Sequence, residues 1–476
     1  MEATTVIRGG TVVTPTGATR MDIHVSGGRI VGLAENGATG AGEEIDASGL
    51  VVLPGGIDGH SHFIVSDPET MTPDPYEYEG MINGGSAAAA GGITTCIEMA
   101  QSDPPATTGR RVARKRELAA KDAIVDFALW GGIVSDQTDQ DIHDQVAEGV
   151  VGFKAYMADS DPTFPGVDDA QLVRAMEILK GYGLMIGLHA ENDALLRDGL
   201  RRMAEAGRTE PLAHAESRPP LVEVEAVNRA IFFAEHTGSW AHIVHMSTPG
   251  AARLIRQAKA RGIHITCETC PHYLALDLDD LSKLGPYARC APAIRSRDQV
   301  EAMWEYVADG TIDAIASDHC GYTIESKEMG KHNIFDAPNG LTAIQTMLPV
   351  LVTEGRRRGL SWERIAAIFA TTPAKLWQLD GRKGSIEVGR DADLVLLDPE
   401  REWVLTRDDL LHTHKWSPFE GRTFKGRVVR TLVRGTTVYR DDLVERIQVQ
   451  PGFGQWLPAH AARADGLRPR DRTDGG

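Results

Sequence analysis

The chain has 476 residues, which is too long for one ordinary small domain but suits a barrel of about 250 residues with a second module. Its composition, 42% hydrophobic and 25% charged, is that of a soluble globular protein, and its formal charge of −17 argues against nucleic acid or an anionic membrane surface as a partner. It has no apolar stretch of transmembrane length, no signal-peptide pattern and an odd number of cysteines, five, so we expect a cytoplasmic protein without a disulfide framework.

The N-terminal region is predicted to form short β-strands separated by turns. The pairs Gly9-Gly10 and Gly27-Gly28 supply turn residues between apolar runs. A similar pattern returns late in the chain, at 389–397 and 427–435. We therefore predict a small β-sandwich domain assembled from both termini. The two parts of this domain are predicted to span 1–53 and 385–449, and 450–476 is predicted to be a C-terminal tail. The predicted N-terminal strands are 6–8, 11–13, 23–25, 29–31 and 44–46.

The middle of the chain, 54–384, alternates between strand-like and helix-like segments. This alternation, with strands apolar on both faces, predicts the α/β class and a (β/α)8 TIM barrel. An open doubly wound sheet is the alternative, but no Gly-x-Gly-x-x-Gly or Walker-type loop follows any strand. The predicted strands are 51–63, 93–99, 125–134, 150–157, 184–189, 242–246, 263–269 and 312–318, and the clearest helices are 169–179, 221–236 and 249–260.

Potential metal ligands recur at the carboxyl ends of these strands, where barrel enzymes carry their active sites. Two histidines one residue apart end the first strand and point to the same side, because strand side chains alternate. Each of the others has an ordinary structural explanation when taken alone, as a core histidine or a helix cap. Together they predict a metal site. The residues are His60 and His62 on the first strand, Lys154 on the fourth, His189 on the fifth, His245 on the sixth and Asp318 on the eighth.

Lys154 distinguishes a two-metal site from a one-metal site. Two divalent cations would repel an ammonium, and burial lowers the pKa of a lysine below about 10.4. A neutral amine can take up carbon dioxide to form a carbamate, an anionic group with two oxygen ligands. A lysine at this position therefore predicts two metals about 3.5–4 Å apart, bridged by N6-carboxylysine.

With these residues identified, the chain resembles the cyclic-amide branch of the amidohydrolase superfamily, which includes hydantoinases, dihydropyrimidinases, allantoinases and dihydroorotases. The resemblance extends from Gly9 to about Gln455. It implies that His60, His62 and Asp318 hold one metal, His189 and His245 the other, and carboxylated Lys154 both. The motifs are Gly56-Ile57-Asp58-Gly59-His60-Ser61-His62, Gly152-Phe153-Lys154, His189-Ala190-Glu191, His245-Met246-Ser247, Ser317-Asp318-His319 and Asp391-Ala392-Asp393-Leu394.

The resemblance also implies a reaction and an assembly. Hydroxide bridging two divalent metals, with zinc expected, would attack a ring carbonyl, and Asp318 would carry the proton to the departing ring nitrogen. Homotetramers are common in this branch, and the expected partner is a small cyclic amide. Non-enzymatic scaffold proteins related to dihydropyrimidinases lose metal ligands, whereas all six are present here.

Substrate choice is predicted from residues beside the ligands. Dihydroorotases carry an arginine two residues after the second histidine, where this chain has Ile64, and dihydropyrimidinases carry a tyrosine where it has Asp159. Ala291 and Asn339 match the segments that bind substrate in the family, and Asn339 favours a hydantoinase. We predict opening of a 5-substituted hydantoin, with allantoinase and then dihydropyrimidinase as alternatives. The stretches 125–132, 414–421 and 452–455 most resemble bacterial L-hydantoinases.

Several nearby residues have a structural and a functional interpretation. Cys267 and Cys270 have the spacing of a zinc knuckle, but no second pair exists and we expect core cysteines. His272 is predicted to make a structural hydrogen bond rather than to touch substrate. Phe63 is among the residues that would line an apolar wall for a 5-substituent, although core packing explains it equally well.

Overall fold

The structure is a computed structural model that describes residues 4–34, 42–69, 79–159 and 163–459. Within these ranges the strands form two sheets. The strands are β1 (Thr5–Thr14), β2 (Gly17–Ser26), β3 (Arg29–Ala34), β4 (Glu43–Asp46), β5 (Val51–Pro54), β6 (Gly56–His62), β7 (Ile93–Glu98), β8 (Asp126–Gly132), β9 (Gly152–Tyr156), β10 (Ile186–His189), β11 (Ala241–Ile243), β12 (Ile265–Thr269), β13 (Ala314–Ile315), β14 (His319–Cys320), β15 (Leu394–Val404), β16 (Thr423–Val433) and β17 (Thr436–Arg440).

Most of the helices follow the strands of the second sheet in alternation. The α-helices are α1 (Gly80–Ala90), α2 (Gly109–Asp122), α3 (Asp139–Ala147), α4 (Asp169–Tyr182), α5 (Asp193–Glu205), α6 (Pro211–Ser217), α7 (Pro220–Thr237), α8 (Pro249–Ala260), α9 (Pro271–Ala275), α10 (Leu278–Leu284), α11 (Arg297–Asp309), α12 (Ile324–Glu328), α13 (Met347–Arg357), α14 (Trp362–Ala366) and α15 (Thr372–Leu376). None of the helices in the described ranges has both the length and the apolar character required to cross a bilayer.

The first sheet is built from both termini, as predicted. Its eight strands run in the order β17-β16-β15-β5-β1-β2-β3, with β4 paired to β1. Strand β5 joins the two ends of the chain, because it pairs with β1 on one side and with β15 on the other. The turn predicted at Gly27-Gly28 connects β2 and β3, and both glycines have positive φ.

One turn predicted in this sheet is wrong. The runs 6–8 and 11–13 are parts of the single strand β1, and Gly9-Gly10 does not reverse the chain. The pairing register with β2 shifts between Ile7 and Gly10. Gly9 has a φ of 70° and donates its N–H to Asp22 Oδ1 at 2.9 Å. The glycine pair therefore forms a β-bulge, which a glycine-rich sequence permits as readily as a turn.

The second sheet is the predicted barrel. Its order is β13-β12-β11-β10-β9-β8-β7-β6-β14, and its neighbours pair in parallel. Strands β13 and β14 are two short halves of the eighth barrel strand, interrupted at 316–318. Because β13 pairs with β12 and β14 pairs with β6, the interrupted strand closes the ring. All eight carboxyl ends therefore face one end of the barrel.

The predicted strand 51–63 is two strands that belong to different sheets. Its first half is β5 in the terminal sheet and its second half is β6 in the barrel. At the junction, Gly55 donates its N–H to Asp393 O and Gly56 donates to Gly92 O, both within 2.9 Å. In the sequence this stretch is one buried apolar run, and such a pattern does not indicate that the chain passes from one sheet to the other.

The predicted helices are confirmed as α4, α7 and α8. Helix α4 begins after Asp168, whose side chain accepts from Gln171 N, and it ends at Gly183 in the left-handed conformation. The start of the predicted tail is also placed: Phe127 N donates to Gln455 O at 2.9 Å and Leu457 N to Phe127 O at 2.8 Å. Residues 455–457 thus lie along β8, Ala459 N donates to Gly149 O at 3.1 Å, and 460–476 fall outside the described residues.

Candidate metal centre

Three of the predicted ligands meet where the first and eighth barrel strands end. His60 and His62 are the last residues of β6 with side chains on one side, and Asp318 lies in the interruption between β13 and β14. His60 Nε2 and His62 Nε2 are 3.1 Å apart, and each is 3.2 Å from Asp318 Oδ1. All three residues are buried. One carboxylate oxygen and two imidazole nitrogens therefore converge on one point.

The other two histidines form a second group beside the first. His189 Nδ1 and His245 Nε2 are 3.0 Å apart. The rings of His60 and His245 have their centroids 5.3 Å apart, so the two groups are neighbours. His245 and Asp318 have φ values of 39° and 48°, which non-glycine residues adopt at an energetic cost. The backbone is thus strained at one residue of each group.

Lys154 reaches the same space from β9. Its side chain is fully buried, and its Nζ has no hydrogen-bond partner among the described residues. It lies 4.9 Å from the centroid of the Tyr156 ring. Burial lowers the pKa of Lys154 to about 8, against the opposing charges of Asp318 and Glu268. The amine is therefore much less basic than that of an exposed lysine.

Buried carboxylates fix the orientation of two of the imidazoles. His60 Nδ1 is 2.6 Å from Glu268 Oε1, and His189 Nε2 is 2.9 Å from Glu191 Oε2. Arg218 donates to the same Glu191 oxygen at 2.9 Å. Burial alone would raise the pKa of Glu191, but the charges of Arg218 and His189 lower it to about 2. Since a carboxylate only accepts hydrogen bonds, the protons of His60 and His189 lie on the nitrogens facing Glu268 and Glu191.

The protonation of these imidazoles decides whether they can bind a metal ion. Burial lowers the pKa of His60 and of His245 well below the usual value, and the neighbouring Lys154 adds to the effect, so both rings are neutral. His60 then presents the lone pair of Nε2 to an oxygen of Asp318 at 3.2 Å. Two lone pairs at that distance repel each other unless a cation lies between them. The donor set therefore fits divalent metal ions, for which imidazole and carboxylate are ordinary ligands.

The segments that carry the predicted substrate-binding residues are hydrogen-bonded to each other and to β14, which directly follows Asp318. Gly340, which follows Asn339, donates its N–H to Arg289 O at 3.0 Å, so the segments that carry Ala291 and Asn339 are bonded to each other. Cys320 N donates to Leu341 O at 2.9 Å, which connects the pair to the strand of Asp318. Asn339 Oδ1 is buried and has no partner among the described residues.

The interpretation of His272 is wrong, and that of the two cysteines is confirmed. Neither ring nitrogen of His272 has a hydrogen-bond partner within the described ranges, so the expected structural bond is absent, and His272 clusters with Cys270 and Asp318. Phe63 is fully buried and its ring packs edge-on against His319, which fits core packing, one of its two interpretations. Cys267 and Cys270 are buried free thiols, as expected.

A third cluster of acidic groups is explained by ion pairs. Asp126, Asp391 and Asp393 lie close enough to suggest a metal site. Lys383 Nζ lies among them, at 2.5 Å from Asp126, 3.0 Å from Asp391 and 2.7 Å from Asp393, and Arg434 also pairs with Asp126. The lysine and the arginine supply the positive charge that the carboxylates require.

Sequence reasoning did not identify several residues that contact the predicted ligands or are bonded to such a residue. Glu268 lies inside barrel strand β12, and an acidic residue within a predicted barrel strand was the only signal in the sequence. Gln101 follows β7 in a loop and donates from Nε2 to the Tyr156 hydroxyl at 2.6 Å. The Tyr156 ring lies 4.8 Å from the ring of His189, measured between centroids. Gln101 and Tyr156 therefore form a polar pair beside the second ligand group.

Comparisons of the sequence and of the structure with known proteins point to the same protein family. The model of the amidohydrolase family matches residues 51–438. An allantoinase of Rubrobacter xylanophilus is 42% identical over 437 residues, which cover 91% of this chain and 94% of that protein. An L-hydantoinase of Paenarthrobacter aurescens is 35% identical over 457 residues, covering 95% and 97%. The solved structure of an L-hydantoinase (dihydropyrimidinase) from Arthrobacter aurescens is similar with a TM-score of 0.90 at 34% identity, covering 96% of this chain and 100% of that one.

Proposed function

The chain belongs to the amidohydrolase family, and from this membership we propose that it hydrolyses a ring C–N bond of a hydantoin-type cyclic amide. Members of the family bind a dinuclear metal centre, and their allantoinase and hydantoinase relatives open cyclic amides. The observation that carries the proposal is the convergence of His60 Nε2, His62 Nε2 and Asp318 Oδ1 within 3.2 Å, next to the His189–His245 pair.

We propose that two divalent ions, with zinc as the first choice, bind to these groups. His60, His62 and Asp318 would hold one, and His189 and His245 the other. Lys154 would bind both as N6-carboxylysine: its amine forms an N–C bond to carbon dioxide and loses one proton to solvent. The unpartnered Nζ and its lowered pKa support this modification. When bound, such ions supply a water of lowered pKa and polarise a carbonyl oxygen.

The protein's own residues would bind the ring and move a proton. Asp318 lies within contact distance of both histidines of the first group, where a carboxylate can take a proton from the attacking water and return it to the departing ring nitrogen. Asn339 and the backbone at Ala291 would bind the amide edge of the ring, because the two segments are bonded to each other beside Asp318. The buried, unpartnered Asn339 Oδ1 supports an acceptor role toward a ring N–H.

We propose allantoin as the first substrate and a 5-alkyl or 5-aryl hydantoin as the second. Allantoin is a hydantoin with a ureido group at C5, so both predictions concern the same ring. The higher identity to allantoinases and the polar pair of Gln101 and Tyr156 beside His189 favour the ureido substituent. The likeness to solved L-hydantoinase favours the second class.

A substrate panel tests the proposal with metal-analysed enzyme. Allantoin, hydantoin, benzylhydantoin, dihydrouracil and dihydroorotate are compared by kcat/KM, and allantoin is expected to be fastest. A higher kcat/KM for benzylhydantoin would move the assignment to the second class. Fastest turnover of a six-membered ring, or absence of bound metal near neutral pH, would contradict the proposal.

We further propose a cytoplasmic homotetramer. The five cysteines are free thiols in the structure, four of them buried, which supports a reducing compartment. Leu221 and Phe232 on α7 are 60% and 63% exposed. Large apolar side chains at the surface support a contact between subunits. Sedimentation velocity tests the assembly, and a monomer at micromolar concentration would contradict it.

A further inference from the structure

Lys327 is a buried lysine that sequence reasoning did not identify. It lies on the short helix α12, four residues beyond the Gly321–Thr323 loop that follows the eighth barrel strand. Its side chain is fully buried. Its Nζ donates to three backbone carbonyls, Pro338 O at 3.0 Å, Gly340 O at 2.9 Å and Arg289 O at 3.4 Å. The three protons of an ammonium group therefore have three acceptors.

The charge of Lys327 is not neutralised by an acidic side chain. In the part of the chain that the structure describes, no carboxylate forms an ion pair with it, and the rings of Trp416 and Tyr322 lie 5.5 and 6.0 Å from Nζ. Burial lowers the pKa of Lys327 to about 7, and the charge of Arg289 lowers it further. Burying a cation in this way is costly, so the lysine must provide something that an apolar side chain of equal size would not.

The three carbonyls belong to the two segments proposed to bind substrate. Pro338 and Gly340 flank Asn339, and Arg289 precedes Ala291 by two residues. The segments are also held to the strand of Asp318: Cys320 N donates to Leu341 O at 2.9 Å, and Ala343 N to His319 Nδ1 at 3.2 Å. The amino group of Lys327 therefore joins both segments, through the carbonyls on either side of Asn339 and the carbonyl of Arg289.

We propose that Lys327 is a positioning residue that fixes Asn339 and the Ala291 segment relative to Asp318, so that the amide edge of the substrate meets preset hydrogen-bonding groups. This role rests on the proposed function of the site. It explains why three acceptors from two segments share one donor group, because carbonyls that point toward each other separate unless a cation holds them. The two segments are then already ordered before the substrate binds, so that binding does not bear the entropic cost of ordering them.

The substitution Lys327→Met tests this role. Methionine keeps a long apolar side chain but removes the three donors. We expect KM for the best substrate of the panel to rise about tenfold, with kcat changed less than about threefold and two metal ions still bound. The matched control is Lys383→Met, which removes another fully buried lysine from the ion cluster outside the metal centre. It should lower stability and leave KM unchanged.

A double-mutant cycle separates positioning from a general loss of structure. Asn339→Ala should raise KM in the wild-type background and have a much smaller effect in Lys327→Met, because the asparagine is already misplaced. Hydrogen exchange should be faster at Gly340 and Ala343 in Lys327→Met and unchanged in α13. If Lys327→Met does not fold, Lys327→Gln, which retains two donors, is measured in the same way and should raise KM by a smaller factor.

The outcomes distinguish this inference from the proposed function. If the wild-type enzyme opens no cyclic amide, the function itself is wrong. If the wild type is active and Lys327→Met has an unchanged KM, or if the effects of Lys327→Met and Asn339→Ala simply add, Lys327 is not a positioning residue and the function stands.

Discussion

Lys154 differs from the other buried lysines in the described residues. Lys115 donates to Met99 O at 2.5 Å and Gln101 O at 3.1 Å, Lys327 donates to three carbonyls, and Lys383 lies among three carboxylates. Lys154 Nζ alone among these four has no hydrogen-bond partner. A buried ammonium without hydrogen-bond partners is unfavourable, whereas the proposed carbamate would be stabilised by the divalent ions that its oxygens bind. The contrast supports modification of this lysine and not of the others.

The substitution Lys154→Ala is expected to remove both metal loading and activity. Loss of the bridging ligand should lower kcat/KM by at least about 100-fold, as losses of metal-site groups commonly do. Acetate or propionate should restore part of both, because a small carboxylate fits the space vacated by the side chain. Metal analysis and turnover are measured with and without the acid, and the wild type should gain nothing from it. Full activity in the unrescued variant would contradict the bridging role.

At the scale of elements, helix α13 connects the barrel to the terminal sheet. Its residue Thr353 donates to Lys425 O at 3.1 Å, in β16. Near its end, Glu354 accepts from Arg358 at 2.6 Å, from Arg357 at 3.0 Å and from Arg422 at 2.6 Å. Arg422 precedes β16, so one carboxylate ties the last turn of the helix to the other sheet.

The Glu354 contacts predict a pH dependence of stability. Burial alone would raise the pKa of Glu354, but hydrogen bonds from Arg358, Arg357 and Arg422 lower it to about 2 from 4.5. A carboxyl group with a lowered folded-state pKa stabilises the protein fully above pH 4.5, and this contribution is lost as the pH falls toward 2. Glu354→Gln should therefore lower the free energy of unfolding near neutral pH by about 1 kcal/mol after solvent screening.

Urea unfolding of wild type and Glu354→Gln over this pH range measures the effect. The difference in free energy should shrink as the pH falls below 4.5. A difference that is constant with pH would mean that the glutamine acts through packing and not through the lost charge. Glu402, an exposed residue of β15, gives a control, because Glu402→Gln should change little at any pH.

At the scale of the whole molecule, the ion cluster around Lys383 connects the two sheets. Asp126 begins β8 in the barrel, Asp393 directly precedes β15, and Arg434 follows β16. Lys383 pairs with both aspartates, and Arg434 N donates to Asp393 Oδ1 at 2.7 Å. The cluster is buried, so its charges are weakly screened and depend on one another.

Breaking this cluster should destabilise the protein without altering the chemistry. Lys383→Met leaves buried carboxylates without their cation, and such losses cost about 3–5 kcal/mol. Thermal unfolding of the metal-loaded protein should show a lower Tm, while metal content and KM of the folded enzyme stay unchanged. A raised KM would indicate that the contact between the sheets also shapes the substrate site.

Much of the fold and the metal ligands could be predicted from local sequence patterns. The spacing of His60 and His62 places both on one side of a strand, and the alternation of apolar strands and amphipathic helices indicates a barrel whose strand ends meet. Both inferences depend on residues close together in the chain, where backbone geometry alone sets the relative positions of side chains. The six predicted ligand positions therefore needed no knowledge of long-range contacts.

The tertiary structure decided what depends on residues far apart. His60 and Glu268, which are hydrogen-bonded, are 208 positions apart in the chain. Lys327 donates to carbonyls of two other segments, at Arg289 and at Pro338 and Gly340, because the loops after the barrel strands pack together. The change of sheet between β5 and β6 likewise depends on neighbours supplied by the C-terminal strands. A side chain's partners across the barrel leave no periodic pattern in the sequence. The sequence by itself thus predicted which residues converge on the candidate metal centre, and only the folded chain decided which groups orient them and hold the proposed substrate segments in place.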